Sequence, residues 1–213
     1  MKISLLSPDL STNASGRVYI FYKILEQFHE VELIGSSSSN KIWFPIRSEN
    51  LIIRDYGRLN IFNMREKSER MINDFDSDLL ILYGAQINGI WLGNQIRKAK
   101  KIPTIYDIGD VDIAKFMTDD IYNNYLLDSF KVGTHLSLRY LLTIIRRYRS
   151  QMFSKMTDLN SIWFSLYSDY LVKNFDNIIT TNHSLQEIYG GSVIYDGQDL
   201  SLIHISEPTR LSV

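Results

Sequence analysis

Short apolar runs, each separated from the next by a segment of helical period, constrain this chain more than any other feature. The runs are Ile3 to Ser7, Val31 to Ile34, Leu79 to Tyr83, Thr104 to Ile108 and Asn177 to Thr181. Between the first two, Val18, Phe21, Tyr22, Leu25 and Phe28 recur at helical spacing from Gly16 to about His29, one side of a helix. Arg65 to Phe75 and Ile90 to Lys100 carry the same signal. Leu79 to Tyr83 is apolar throughout rather than alternating, as a strand must be when helices cover both faces of its sheet. Strand and helix in alternation predict a doubly wound, mostly parallel α/β sheet with right-handed crossovers.

Weaker signals fill the gaps. Ile42 to Ile46 and Leu51 to Ile53 are strand candidates, the first interrupted by Pro45, and Ser36 to Asn40 form a polar loop. From Val111 to Phe175 the pattern turns to long helical segments without a convincing strand, which predicts a helical insertion over about 111–175. A short helix, Ser184 to Tyr189, is expected to be capped by Ser184 with Glu187 three residues on. Ser192 to Tyr195 reads as the last strand.

With 45% hydrophobic and 22% charged residues among 213, the chain can bury a core, and its net charge of −1 argues against whole-protein attraction to nucleic acid. Absence of cysteine excludes disulfides, thiolate metal sites and thiol nucleophiles, and the four histidines lack paired ligand spacing, so no metal site is expected. The run Ile3 to Leu6 is too short for a signal-peptide core or a membrane span. The expectation is a cytoplasmic protein.

The last residues read differently. Leu200 to Arg210, LSLIHISEPTR, resembles the translation of a transposase adapter used to prepare sequencing libraries. On that reading residues 200–213 are a non-native tail, the protein's own sequence stops near Asp199, and its continuation is missing.

In an open α/β sheet ligands collect beyond the carboxyl ends of the strands. The loop after the first strand, SPDLSTNASGR, brings Ser15 and Gly16 to a helix N-terminus, where unpaired N–H groups favour a phosphate, and Arg17 can add a bidentate charge. Ser15 serves equally as a plain helix cap. Asp107, Asp110 and Asp112 in YDIGDVD can orient a hydroxyl, act as a base or bind a hard cation, or cap the helix that follows. His183 follows a strand and either faces the same cleft or is solvated. Lys131, Arg139, Arg146, Arg147, Arg149 and Lys155 stand between Ser129 and Thr157 with no acidic residue, beside an apolar face of Leu138, Leu141, Leu142, Ile145, Tyr148 and Met152. Such a helix suits an anionic membrane surface, or packs on the sheet with its arginines in water. Nucleic acid ranks below both, because no aromatic stacking platform accompanies the charges.

The order of segments resembles the N-terminal domain of GT-B retaining glycosyltransferases of the family 4-like group. The matching pieces are MKISLLSPD, the loop ending SGR, HEVELIG, SDLLILYG, KIPTIYDIGD, DNIITTNHSLQEIYG and SVIYDGQD. The resemblance implies a Rossmann-like, acceptor-side domain over residues 1–199 and a second, missing domain that binds the nucleoside-diphosphate sugar and carries a paired-glutamate motif. It further implies transfer of that sugar to a hydroxyl acceptor, such as a sugar or lipid-linked sugar, in cell-surface polysaccharide or glycolipid synthesis. No cofactor or obligatory metal is implied. Ser15, Gly16 and Arg17 would approach the donor phosphates. Tyr83 and Gly84, where relatives often carry a histidine, join them as candidate donor-phosphate or acceptor contacts. Asp110 and His183 are the catalytic candidates, and Arg139, Arg146, Arg147 and Arg149 would meet the inner face of the plasma membrane. The alternative is a non-catalytic nucleotide-binding module, Rossmann-like or flavodoxin-like. The fragment alone is expected to be inactive, since half the cleft is absent.

Overall fold

The structure, a computed structural model, describes residues 1–39, 41–84, 86–110, 159 and 162–195. Within them lies a seven-stranded, wholly parallel sheet in the order β3-β2-β1-β4-β5-β6-β7. The strands are β1 (Lys2–Ser7), β2 (Glu30–Gly35), β3 (Ile53–Asp55), β4 (Leu79–Tyr83), β5 (Thr104–Ile108), β6 (Asn177–Thr180) and β7 (Ser192–Val193). Helices α1 (Gly16–Leu25), α2 (Phe44–Arg47), α3 (Met64–Asp74), α4 (Ile87–Lys100), α5 (Ile162–Val172) and α6 (His183–Tyr189) connect them. This is a Rossmann-like α/β fold.

Alternating side chains divide the core into two layers. Ile3, Leu5, Val31, Leu33 and Ile81 pack with Val18 and Tyr22 of α1 and Ile46 of α2. Leu6, Ile34, Leu80, Leu82, Tyr106 and Ile108 pack on the other face with Met71, Ile90, Ile96, Leu171 and Leu185 from α3, α4, α5 and α6. In that second layer α4 runs so close to β4 that a Cβ on Gly93 would collide with Leu82.

Several local expectations are corrected. Ile42 to Ile46 is not a strand: Pro45 sits in the first turn of α2, where its fixed φ suits a helix and its missing N–H costs nothing. The strand expected at Leu51 to Ile53 lies later, as β3. The cap of α6 is Asn182, extended at φ −155° and accepting Leu185 N at 2.9 Å, which places Ser184 inside the helix. α1 ends at Leu25, short of His29, and α4 begins at Ile87 rather than Ile90. Most of the expected helical insertion lies outside the described residues. Its one described element, α5, is helical. Among the described residues no helix is long and apolar enough to cross a membrane.

Candidate functional site

The winding reverses between β1 and β4, and in such a sheet the ligand crevice is expected over the carboxyl ends of these two strands, where Pro8 of the first loop lies against Gly84 of the second. The first loop, 8–15, is pinned by the segment after β2 and by α4. Leu10 N donates to Ser36 O at 2.7 Å and Trp43 N to Leu10 O at 2.8 Å. Ser36 Oγ and Asn88 Nδ2 both donate to Pro8 O, at 2.8 and 2.7 Å. Asp9 Oδ1 accepts from Ser11 N, Ser11 Oγ and Ser38 N at 2.9, 2.6 and 3.1 Å. The serine run at 36–39 is thus a clamp on the crevice wall.

Burial pushes the Asp9 carboxyl up, but the bonds from Ser11 and Ser38 outweigh it and hold the group below the usual carboxylate range. A depressed carboxylate contributes its full stability above its unfolded value and loses it as pH falls through the folded one. Hydrogen-exchange protection of the Ser11 and Ser38 amides is therefore expected to fall together below about pH 4. Protection that holds at lower pH would show that Asp9 does not secure the loop.

Helical structure begins before α1. A 3-10 turn, Asn13–Ser15, is capped by Thr12, whose Oγ1 accepts Ala14 N at 3.4 Å, and it runs directly into Gly16. Ser15 N and Gly16 N already bond to Thr12 O and Asn13 O. Ser15 makes no side-chain cap: its buried hydroxyl donates to Asp9 O at 2.7 Å and lies 2.6 Å from Ser7 Oγ. Gly16 is helical, at φ −59° and ψ −46°, and an added Cβ would meet only the Trp43 ring, at 3.7 Å. Neither conformation nor packing demands glycine there.

Arg17 reaches across the sheet rather than into solvent. Its Nε and Nη2 form a fork on Asp107 Oδ2 and Oδ1, at 2.6 and 3.1 Å, and Nη2 also donates to Ile194 O at 2.8 Å. The guanidinium stacks over Phe21, 4.9 Å from the ring centroid. Both side chains of the pair are buried. The bidentate geometry expected for a phosphate is used on a carboxylate 90 residues away.

Tyr83 ends β4 opposite Asp107 of β5, and its hydroxyl would lie 2.8 Å from a Cβ on Gly109. Gly84 follows at φ +86°, its N–H on Asp107 O at 3.1 Å and its carbonyl accepting from Tyr106 Oη at 3.1 Å. Asp110 is exposed just past β5. His183 is the first, exposed residue of α6, with Nδ1 3.1 Å from Gln186 Oε1 and Nε2 3.0 Å from Tyr195 Oη. Asp112, Arg139, Arg146, Arg147 and Arg149 lie outside the described residues.

The two glycines predict opposite outcomes. Gly84→Ala forces an L-residue into the left-handed region, about 1–2 kcal/mol, and brings its Cβ to 3.2 Å from Pro8 Cγ. A fall in melting temperature of a few degrees is expected. Gly16→Ala should leave stability unchanged or raise it by up to about 1 kcal/mol. Thermal melts of both variants check the pair, and equal losses would contradict the geometry.

No protein-family model matches the sequence, and no curated protein matches it. Among solved structures the chain is similar to HepE from Anabaena in complex with UDP and glucose, at 13% identity and a TM-score of 0.53. The match covers 95% of this chain and 46% of HepE. A second match is UGT2 of Phytolacca americana, complexed with UDP-2-fluoro-glucose and pterostilbene, at 8% identity and a TM-score of 0.48, over 92% of this chain and 52% of that one. The likeness to HepE is one of fold. The chain spans about half the length of each.

Ser15, Gly16, Arg17, Tyr83 and Gly84 lie at the carboxyl end of the sheet, and Asp107 links three of them: it pairs with Tyr83, accepts from Gly84 N and holds Arg17. Sequence reasoning named Asp107 only as one carboxylate of three and missed Trp43, Asn88 and the serine clamp. Only the YDIGD pattern carried a signal, since a strand-end aspartate inside an otherwise apolar run predicts a buried partner.

Proposed function

We propose that this chain is the acceptor-side half of a glycosyltransferase that moves a sugar from a nucleoside-diphosphate sugar to a hydroxyl. The observation that carries the reading is the reversal of winding between β1 and β4, beside which the loop after β1 is pinned and Gly16 stands where neither conformation nor packing requires glycine. The shared fold with HepE, a protein described with UDP and glucose, supports it. Ser15 N and Gly16 N are already bonded within the turn, so what Gly16 offers a phosphate or hydroxyl is a backbone without a Cβ. Arg17, bonded to Asp107 and Ile194, holds α1 over β5. Asp110, exposed just past β5, is the carboxylate assigned as a base, and His183 holds its ring toward Tyr195.

The proposal extends to a donor-binding half beyond about Asp199, to residues 200–213 as a non-native tail, and to cell-surface polysaccharide or glycolipid synthesis at the membrane. In that setting neutralising Arg146, Arg147 and Arg149 would abolish salt-sensitive vesicle binding. The test at the crevice is Gly16→Ala in the whole gene product, assayed for transfer from UDP-glucose. A fall of tenfold or more with an unchanged melting temperature supports ligand approach at Gly16. Unaltered transfer removes that residue from the site.

A further inference from the structure

Resting on the transferase reading, we infer that Trp43 is the acceptor platform, a specificity-determining residue whose indole takes a pyranose ring. Trp43 lies at the carboxyl end of the sheet, on the segment that follows β2, and its backbone N–H is fixed on Leu10 O of the crevice loop at 2.8 Å. Its six-membered ring stands beside Gly16, with Cη2 3.7 Å and Cζ3 4.0 Å from the position a Cβ would take there. The ring is half-buried against the α1 face of the core. Buried indoles bond their N–H to the protein. This one does not: Trp43 makes only its two backbone bonds, and its Nε1 is not among the buried polar atoms that lack partners. The indole therefore offers an anchored apolar ring and an N–H donor that is not taken up by the protein. Asn13, exposed in the turn leading to Gly16, carries a side-chain amide that bonds to no described protein group.

That combination matches a sugar ring. A pyranose has an apolar C–H face for the indole and equatorial hydroxyls at its rim for the N–H and the amide. An acyclic polyol has the hydroxyls without the face, and an aromatic alcohol has a face without the rim of hydroxyls.

Ligand-observed NMR of the full chain with cellobiose, sorbitol and 2-phenylethanol tests the assignment. Saturation is expected on the ring protons of cellobiose and not on sorbitol. Trp43→Ala should weaken cellobiose about tenfold, the scale of one lost aromatic contact, while Trp43→Phe, which keeps the face and lacks the donor, should weaken it about threefold. Trp43→Phe also guards against a fold effect of the alanine. Equal cellobiose affinity in all three proteins, no saturation of cellobiose, or binding of sorbitol or 2-phenylethanol in its place would overturn the inference. None of those results touches transfer by the whole gene product, which decides the transferase reading separately.

Discussion

Replacing Asp107 by alanine is expected to cost the protein about 3–5 kcal/mol, because it strands the buried Arg17 guanidinium without its carboxylate. For a domain of this size each kcal/mol is worth about 2–4 °C, so the melting temperature should fall by on the order of 10 °C. Arg17→Ala should be of similar magnitude, since it leaves a fully buried carboxylate and also frees Ile194 O and the face of Phe21. Replacing both partners with apolar residues of similar bulk, Arg17→Met with Asp107→Leu, should recover much of the loss, because the desolvation of both charges then disappears together. A thermal melt of the four proteins separates the cases. Losses under about 2 °C for both single variants would mean that the pair is not the buried anchor that its geometry indicates.

The second large effect is expected at Gly35. An alanine Cβ there would lie less than 3.0 Å from the carbonyl oxygen of Ser7 and 3.2 Å from Leu10 Cγ. The first neighbour is backbone at the end of β1 and cannot rotate away, so the loop that forms one wall of the crevice must move. Overpacking of this kind costs about 1–3 kcal/mol, and the upper end applies where backbone must shift. Gly35→Ala should therefore lower the melting temperature and, in the whole gene product, depress transfer more than its stability loss explains. Normal stability and transfer would show that the loop yields freely.

What the sequence made legible follows from physical range. Leu79–Tyr83 and Thr104–Ile108 were found with their observed bounds because a strand buried on both faces writes its environment into consecutive residues. Phe44–Arg47 was misread for the opposite reason. Ile42, Trp43, Phe44 and Ile46 all favour strands by type, and only the position of Pro45 at the start of a turn reveals the helix. Asn182 and Ser184 are both good caps. Which one serves depends on where the chain leaves β6, and that lies in the sheet register rather than in the heptapeptide. The order of β1, β4 and β5 was legible, and with it the position of Ser15, Gly16, Tyr83 and Gly84 just beyond strand ends. The partner of Arg17 was not legible, since no local rule connects positions 90 residues apart. The same holds for Ser36 and Asn88 on Pro8 O and for the indole of Trp43 beside Gly16.

The proposed function makes the crevice one wall of a sugar-transfer site, with the donor half supplied from outside residues 1–199. The most direct measurement is transfer of labelled glucose from UDP-glucose to a hydroxyl acceptor, by the whole gene product and by residues 1–199 side by side. Holding both reactants together is a large share of such catalysis, so the whole product should turn over repeatedly and residues 1–199 should not. Repeated turnover by residues 1–199 alone, or none by the whole product across a panel of nucleotide sugars and acceptors, would contradict it.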